Sequence, residues 1–317
     1  LTLPWPSIAL VLALWVAPVH AAAPPRAAQP PVAQPHATQV VTFASVERDA
    51  AGRNVALTGY LLLPRTPAPP GGYPAVIALH GCGGLHSTRK GHEQELAERL
   101  ALRADLFLAD GFAVLFPDSF APRDVREVCT IKVGERTISS MRRRLDALGA
   151  LAYLAQRKDI AAKRIAVVGW SHGGSAALHA INTRDAEVAA FAVTPGAPSF
   201  RAAVAFYPGC NSLLRAGERF QPAVPTRIHI GELDDWTPAA PCVELGRAIA
   251  SRGGDFDVVT YPGSYHAFDA PMGKVMRRLD VPNGVHPGQG VTVGPNPPAR
   301  ATANIRVRAF LRDRLAP

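Results

Sequence analysis

Short runs of consecutive apolar residues alternate along this chain with stretches of helical period, and that alternation limits its fold more than any other feature. Runs at 75–79, 112–116, 164–168, 202–207, 226–230 and 256–261 read as short strands. Helical patterns lie between and after them, at 93–109, 137–156, 175–182, 242–252 and 303–315. Two further strands, 40–46 and 55–63, flank a turn at Ala51-Gly52-Arg53-Asn54. Strands that are apolar on both faces and separated by helices predict an α/β protein with a mostly parallel central sheet and helices on both faces. In such sheets the functional groups gather in loops beyond the carboxyl ends of the strands.

The amino-terminal segment does not fit this pattern. Residues 8–17 are apolar, Pro18 follows, and small residues Ala21, Ala22 and Ala23 come next. This reads as a secretory signal peptide over 1–21, too short for a membrane span of ~20 apolar residues. Residues 22–38, rich in Ala, Pro and Gln, read as a flexible linker before a folded domain at 39–317. The expectation is a periplasmic or secreted protein without stable membrane insertion after cleavage.

Export gives the four cysteines a meaning, because an oxidising compartment favours disulfides. Four cysteines allow three connectivities. Cys210 and Cys242 follow strands whose carboxyl ends should be close, which favours that pair and leaves Cys82 for Cys129. The net charge is +9, but the basic residues are dispersed. Their one tight run, Arg142-Arg143-Arg144, reads as a solvated helix face, and no nucleic-acid partner is expected.

The chemistry is carried by three loops. Gly169-Trp170-Ser171-His172-Gly173-Gly174 matches G-x-S-x-G between a strand and a helix, which is the context of a nucleophile elbow in an α/β-hydrolase fold. A serine hydroxyl needs an oriented base. The order nucleophile, acid, histidine is completed by Asp234, within residues 231–238, and by His266, within 262–268; each follows its own strand. Asp235 competes with Asp234 for the acid's place. Loop His80-Gly81-Cys82-Gly83-Gly84 is glycine-rich at a strand end. The backbone N–H groups of Cys82 and His172 are therefore candidate oxyanion donors. Trp170 and Trp236 flank the site and are candidate pocket walls. His86, His92 and His179 lack metal-ligand grouping and read as surface or helix-face residues; no metal or cofactor is expected. Loops 117–136 and 280–300 are candidates for shaping the pocket.

These motifs resemble the dienelactone hydrolase family, and the likeness runs from about residue 42 to 315. The resemblance implies hydrolysis of small-molecule or polymeric esters. The spacing of Gly231 and Pro238 about Asp234 favours Asp234 over Asp235 by the same resemblance. Dienelactone hydrolase itself uses a cysteine nucleophile with a nearby glutamate, whereas this chain has Ser171 and no glutamate in the Cys82 loop. The family's serine-bearing relatives include carboxylesterases. Two alternatives stand beside this reading: an exported peptidase on the same triad, and a binding protein that keeps the fold without catalysis.

Overall fold

A computed structural model describes residues 37–317, with Leu1 and Thr2 at the amino terminus. The expected signal peptide and nearly all of the expected linker therefore lie outside the described residues. The end of the linker is corrected. Strand β1 (Ala37–Arg48) begins at Ala37, and Ala37 and Thr38 pair with Leu63 and Leu62 of β2 (Asn54–Leu63). Strand pairing, not local composition, decides the state of these two residues.

The remaining strands are β3 (Tyr73–Leu79), β4 (Ala113–Pro117), β5 (Ile160–Trp170), β6 (Ala202–Phe206), β7 (Thr226–Gly231) and β8 (Phe256–Tyr261). They join β1 and β2 in one eight-stranded sheet of order β1-β2-β4-β3-β5-β6-β7-β8. From β4 to β8 every pairing is parallel, and only β1–β2 and β2–β4 are antiparallel. Every residue of β3, β4 and β6 is buried, which is why these strands read as unbroken apolar runs. The chain order reverses between β3 and β5. Their carboxyl ends open a crevice there, where open α/β sheets bind ligands.

Helices cover both faces. Helix α1 (Glu98–Leu108) packs on β4 and on the last helix, α7 (Pro297–Arg314). Helix α2 (Ser140–Ala155) packs on β1 and β5 and against α3 (His172–Ala180). Ser139 caps α2 by accepting the Arg142 N–H at 3.0 Å. Helix α2 lies so close to β1 that a Cβ at Gly149 would sit 2.2 Å from the Ala44 carbonyl oxygen. Helix α1 is shorter than its apolar pattern suggests. Residues 93–97 instead form a turn held by Ala97 N–H donating to Leu85 O at 3.0 Å. Helices α4 (Ala186–Ala192) and α5 (Asn211–Ala216) were not anticipated, being too short to show a period. Helix α6 (Ala239–Ala250) packs on β8. A small hairpin of β9 (Met276–Arg278) and β10 (Val291–Val293) completes the fold.

Two sequence readings are overturned by packing. The arginine run is not a solvated face: Arg142 is half-buried, Arg143 is fully buried and Arg144 nearly so. Helix α2 is enclosed by β1, α3 and α4, so consecutive positions cannot all face water. Arg144 pairs with Asp185 at 3.0 Å and with Glu187. His179 is likewise buried on α3 rather than exposed. His92, by contrast, meets Glu95 at the surface, and half-buried His86 meets Asp118 at 2.7 Å.

Both disulfides join the expected partners. Cys82–Cys129 spans 47 residues and ties the loop after β3 to the loop after β4; Cys210–Cys242 spans 32 and ties the loop after β6 to α6. Closing loops of this size removes about 4 kcal/mol of chain entropy from the unfolded state per bond, in the loop-closure description. Reduced protein should therefore unfold at lower urea concentration, and the shift in midpoint measures the effect.

Buried histidines should make the fold acid-sensitive. Burial is the first cause of the lowered pKa in each of His80, His172, His179 and His229. Nearby arginines add to it: Arg143 for His80 and His172, Arg144 for His179, Arg306 for His229. His179 is pushed to about 4 and His229 to about 3. The unfolded chain, with histidines near 6.5, binds more protons than the folded one below that pH. Stability should thus be complete above pH ~6.5 and decline as pH falls toward 4, at up to ~1.4 kcal/mol per pH unit for each such histidine. Urea midpoints between pH 8 and pH 4 test this; a flat profile would show these imidazoles to be accessible.

Candidate active site

Three loops at the carboxyl ends of β5, β7 and β8 bring Ser171, Asp234 and His266 together. Ser171 occupies the turn between β5 and α3, at φ 54° and ψ −116°. The residues two positions to either side of it, Gly169 and Gly173, have to be glycine. A Cβ at Gly169 would lie 2.1 Å from the Gly173 oxygen, and one at Gly173 would lie 2.2 Å from the Leu79 oxygen. Four non-glycine residues among those described have positive φ, and three of them are at this site: Ser171, Tyr207 and Ala267. Such strain persists only where the surroundings enforce it, and it clusters at functional sites.

A chain of hydrogen bonds links the three side chains. His266 Nε2 is 2.9 Å from Ser171 Oγ, and His266 Nδ1 is 2.8 Å from Asp234 Oδ2. The other carboxylate oxygen of Asp234 accepts the N–H groups of Trp236 (2.9 Å) and Thr237 (2.8 Å). Asp234 and His266 are both buried. Asp235 faces the other way. It accepts Thr292 N–H at 2.7 Å and lies 3.3 Å from Arg277, so it fastens the β9–β10 hairpin.

The imidazole is held by Trp236, expected as a pocket wall, and by groups that sequence reasoning did not single out. The rings of Tyr207 and Trp236 lie 4.5 and 4.7 Å from that of His266. The Thr237 hydroxyl is 3.1 Å from both Asp234 Oδ2 and His266 Nδ1. Behind them, buried Asp269 accepts from Tyr207 Oη (2.6 Å), Trp170 Nε1 (2.7 Å) and Arg103 (2.8 and 3.0 Å). Burial raises the Tyr207 phenol pKa well above its usual value, so it remains a donor to Asp269. Tyr207 directly follows a strand and Asp269 lies three residues after His266. The strand-end rule that selected Ser171 would have pointed to both.

His172 is the first residue of α3, so its N–H has no partner within the helix. The Cys82 loop lies alongside, where a Cβ on Gly81 would be 3.8 Å from Ser171 Cβ. The His172 ring is directed inward, with Nδ1 3.0 Å from Arg143 Nη1. Two clefts meet at Ser171. One, of about 750 Å³, is lined by Arg99, Glu127, Trp170 and Met272 among others. The second, of about 590 Å³, is lined by Lys132, Arg136, Arg215 and Asn283. Cys82, Ser171 and Trp236 border both clefts. Loops 117–136 and 280–300 each contribute to both, and Asn283 joins them by accepting from Val133 N–H and donating to Ile131 O, both at 2.9 Å. Among the described residues, no group of three or more His, Cys, Asp or Glu side chains is placed to hold a metal ion.

Comparison with known proteins agrees with this architecture. The family model for the dienelactone hydrolase family matches residues 57–313. A Bradyrhizobium protein named "Probable 2-oxo-3-(5-oxofuran-2-ylidene)propanoate lactonase" is 24% identical over 213 residues, covering 64% of this chain and 76% of that one. Among solved structures, a dienelactone hydrolase-like promiscuous phosphotriesterase from metagenomic libraries superposes with a TM-score of 0.59 at 17% identity, covering 87% of this chain and 98% of its own. Thermogutta terrifontis esterase 2 phosphorylated by paraoxon gives a TM-score of 0.56 at 17% identity, covering 88% and 96%.

Proposed function

Because the chain belongs to the dienelactone hydrolase family and is by that membership an ester-cleaving hydrolase, we propose that it cleaves carboxylic esters through Ser171, His266 and Asp234. The observation that carries the reading is the unbroken path from Ser171 Oγ through His266 to Asp234, with steps of 2.9 and 2.8 Å. Ser171 attacks the acyl carbon while His266 Nε2 takes its proton. The N–H groups of Cys82 and His172 receive the oxyanion, and His266 returns the proton to the leaving alkoxide. Water, deprotonated by His266, then releases the acyl group from Ser171. The negative charge of Asp234 stabilises the imidazolium in both halves. The ester straddles Ser171, with its acyl and alcohol parts in the two clefts that meet there.

Export to the periplasm or the cell exterior belongs to the same proposal. It is supported by the two disulfides, which persist in oxidising compartments. No helix among the described residues is long and apolar enough to cross a membrane. The test is covalent. Paraoxon, whose phosphoryl group is carried by the Thermogutta esterase in its solved structure, should modify wild-type protein at Ser171, as read by peptide mass mapping. A parallel screen of esters of graded acyl length, lactones and small peptides should show turnover of esters. Modification elsewhere, or turnover of peptides alone, would reject the reading.

A further inference from the structure

Helix α2 carries a guanidinium into the interior at a place where the proposed reaction does not use it. Arg143 is fully buried, yet no carboxylate among the described residues lies within ion-pair distance of it; the nearby Asp146 is paired with Arg123 instead. The two acids whose charge it feels are Asp146 and Asp118. Asp146 is occupied by Arg123 (2.7 Å) and Ser45 (2.8 Å). Asp118 is occupied by His86 (2.7 Å) and the Phe120 N–H (2.8 Å). Arg143 Nε and Nη2 are buried without a hydrogen-bond partner, and the guanidinium lies 5.1 Å from the Phe120 ring centre. An uncompensated buried cation is costly to a fold. Burial pulls its pKa down to about 10, which still leaves it charged at neutral pH.

What Arg143 does bond is specific. One terminal nitrogen, Nη1, donates to His80 O at 2.7 Å and to His172 Nδ1 at 3.0 Å. His80 opens the loop that carries Cys82, and His172 directly follows Ser171. An arginine can only donate, so His172 Nδ1 accepts and the ring's proton sits on Nε2. The imidazole is thereby held neutral in one tautomer. From this geometry we infer that Arg143 is a positioning residue of the oxyanion hole: a buried cation that locks the two donor-bearing loops in register and sets positive charge behind them.

This inference rests on the catalytic reading above. It predicts a cost confined to the transition state. Removing an oxyanion donor outright costs about 10²–10³ in kcat, and Arg143 acts through two donors. Arg143→Met should lower kcat about 100-fold and leave KM within about threefold. Affinity for an alkylboronic acid, whose tetrahedral adduct on serine fills the hole, should fall by a factor similar to that in kcat. Two opposing effects act on the melting temperature, the removal of an unpaired buried charge and the loss of the donor to His80 O and His172 Nδ1, so kcat and boronate affinity carry the test. Arg143→Lys keeps the charge and should recover part of both losses. Should Arg143→Met fail to fold, Arg143→Lys carries the test, since its shorter reach must still lower kcat and boronate affinity together. A variant that keeps wild-type kcat overturns the inference, as does one whose kcat falls while boronate affinity stays put. Paraoxon mapping on the wild type separates the two levels. No label on Ser171 removes the catalytic reading itself, whereas labelled wild type with a fully active Arg143→Met removes only this inference.

Discussion

Ser171→Ala is expected to abolish ester hydrolysis while leaving the protein folded. Removing the nucleophile from a serine triad costs up to about 10⁶ in kcat. The remaining rate would come from water attacking an ester polarised by the Cys82 and His172 N–H groups. The fold should tolerate the change for a local reason. Alanine keeps the Cβ that already sits at φ 54°, so the turn carries no new strain. Among the described residues the interaction lost is the Oγ–His266 hydrogen bond, worth about 1 kcal/mol in a typical case. Activity and melting temperature measured on the same sample decide the matter. Retention of more than a tenth of the activity, a loss below ~1.4 kcal/mol, would mean that another group is the nucleophile.

How much of this was legible in the sequence differs between elements for physical reasons. Strands β3, β4 and β6 are buried on both faces and announce themselves as apolar runs. Their order in the sheet is not written in any one run, but parallel pairing and short connections bring their carboxyl ends together. The loops bearing Ser171, Asp234 and His266 could therefore be assigned to one edge before any distance was known. Helices α4 and α5 and the β9–β10 hairpin were invisible because each is shorter than a hydrophobic period needs. Arg143 was misread because charge predicts exposure only while a helix has a free face, and α2 is enclosed. Asp269 and Tyr207 went unnoticed because their hydrogen bonds join residues far apart in the chain. The choice between Asp234 and Asp235 could rest only on resemblance, since adjacent carboxylates look alike until the backbone turns one of them inward.

That choice yields the second large effect. Asp234→Asn should lower kcat by about 10⁴ through the wrong imidazole tautomer. The surroundings dictate how the amide must sit. Oδ1 of Asp234 accepts two backbone N–H groups, from Trp236 and Thr237, so the oxygen of an asparagine stays there and its NH₂ is turned toward His266 Nδ1. A donor facing Nδ1 requires that nitrogen to be unprotonated, which moves the imidazole proton to Nε2. Nε2 then points a hydrogen at Ser171 Oγ and cannot take the serine proton. Asp235→Asn meets a different environment. Its Oδ1 accepts Thr292 N–H, which an amide oxygen also does, and the contact with half-exposed Arg277 belongs to a class of surface pairs worth ~1 kcal/mol or less. Its kcat should change by less than tenfold, with any loss appearing in the β9–β10 hairpin that borders the cleft. Both variants assayed at saturating ester across several pH values give the comparison. If Asp235→Asn proves crippling and Asp234→Asn stays near wild type, the acid of the triad moves by one residue while Ser171 and His266 keep their roles.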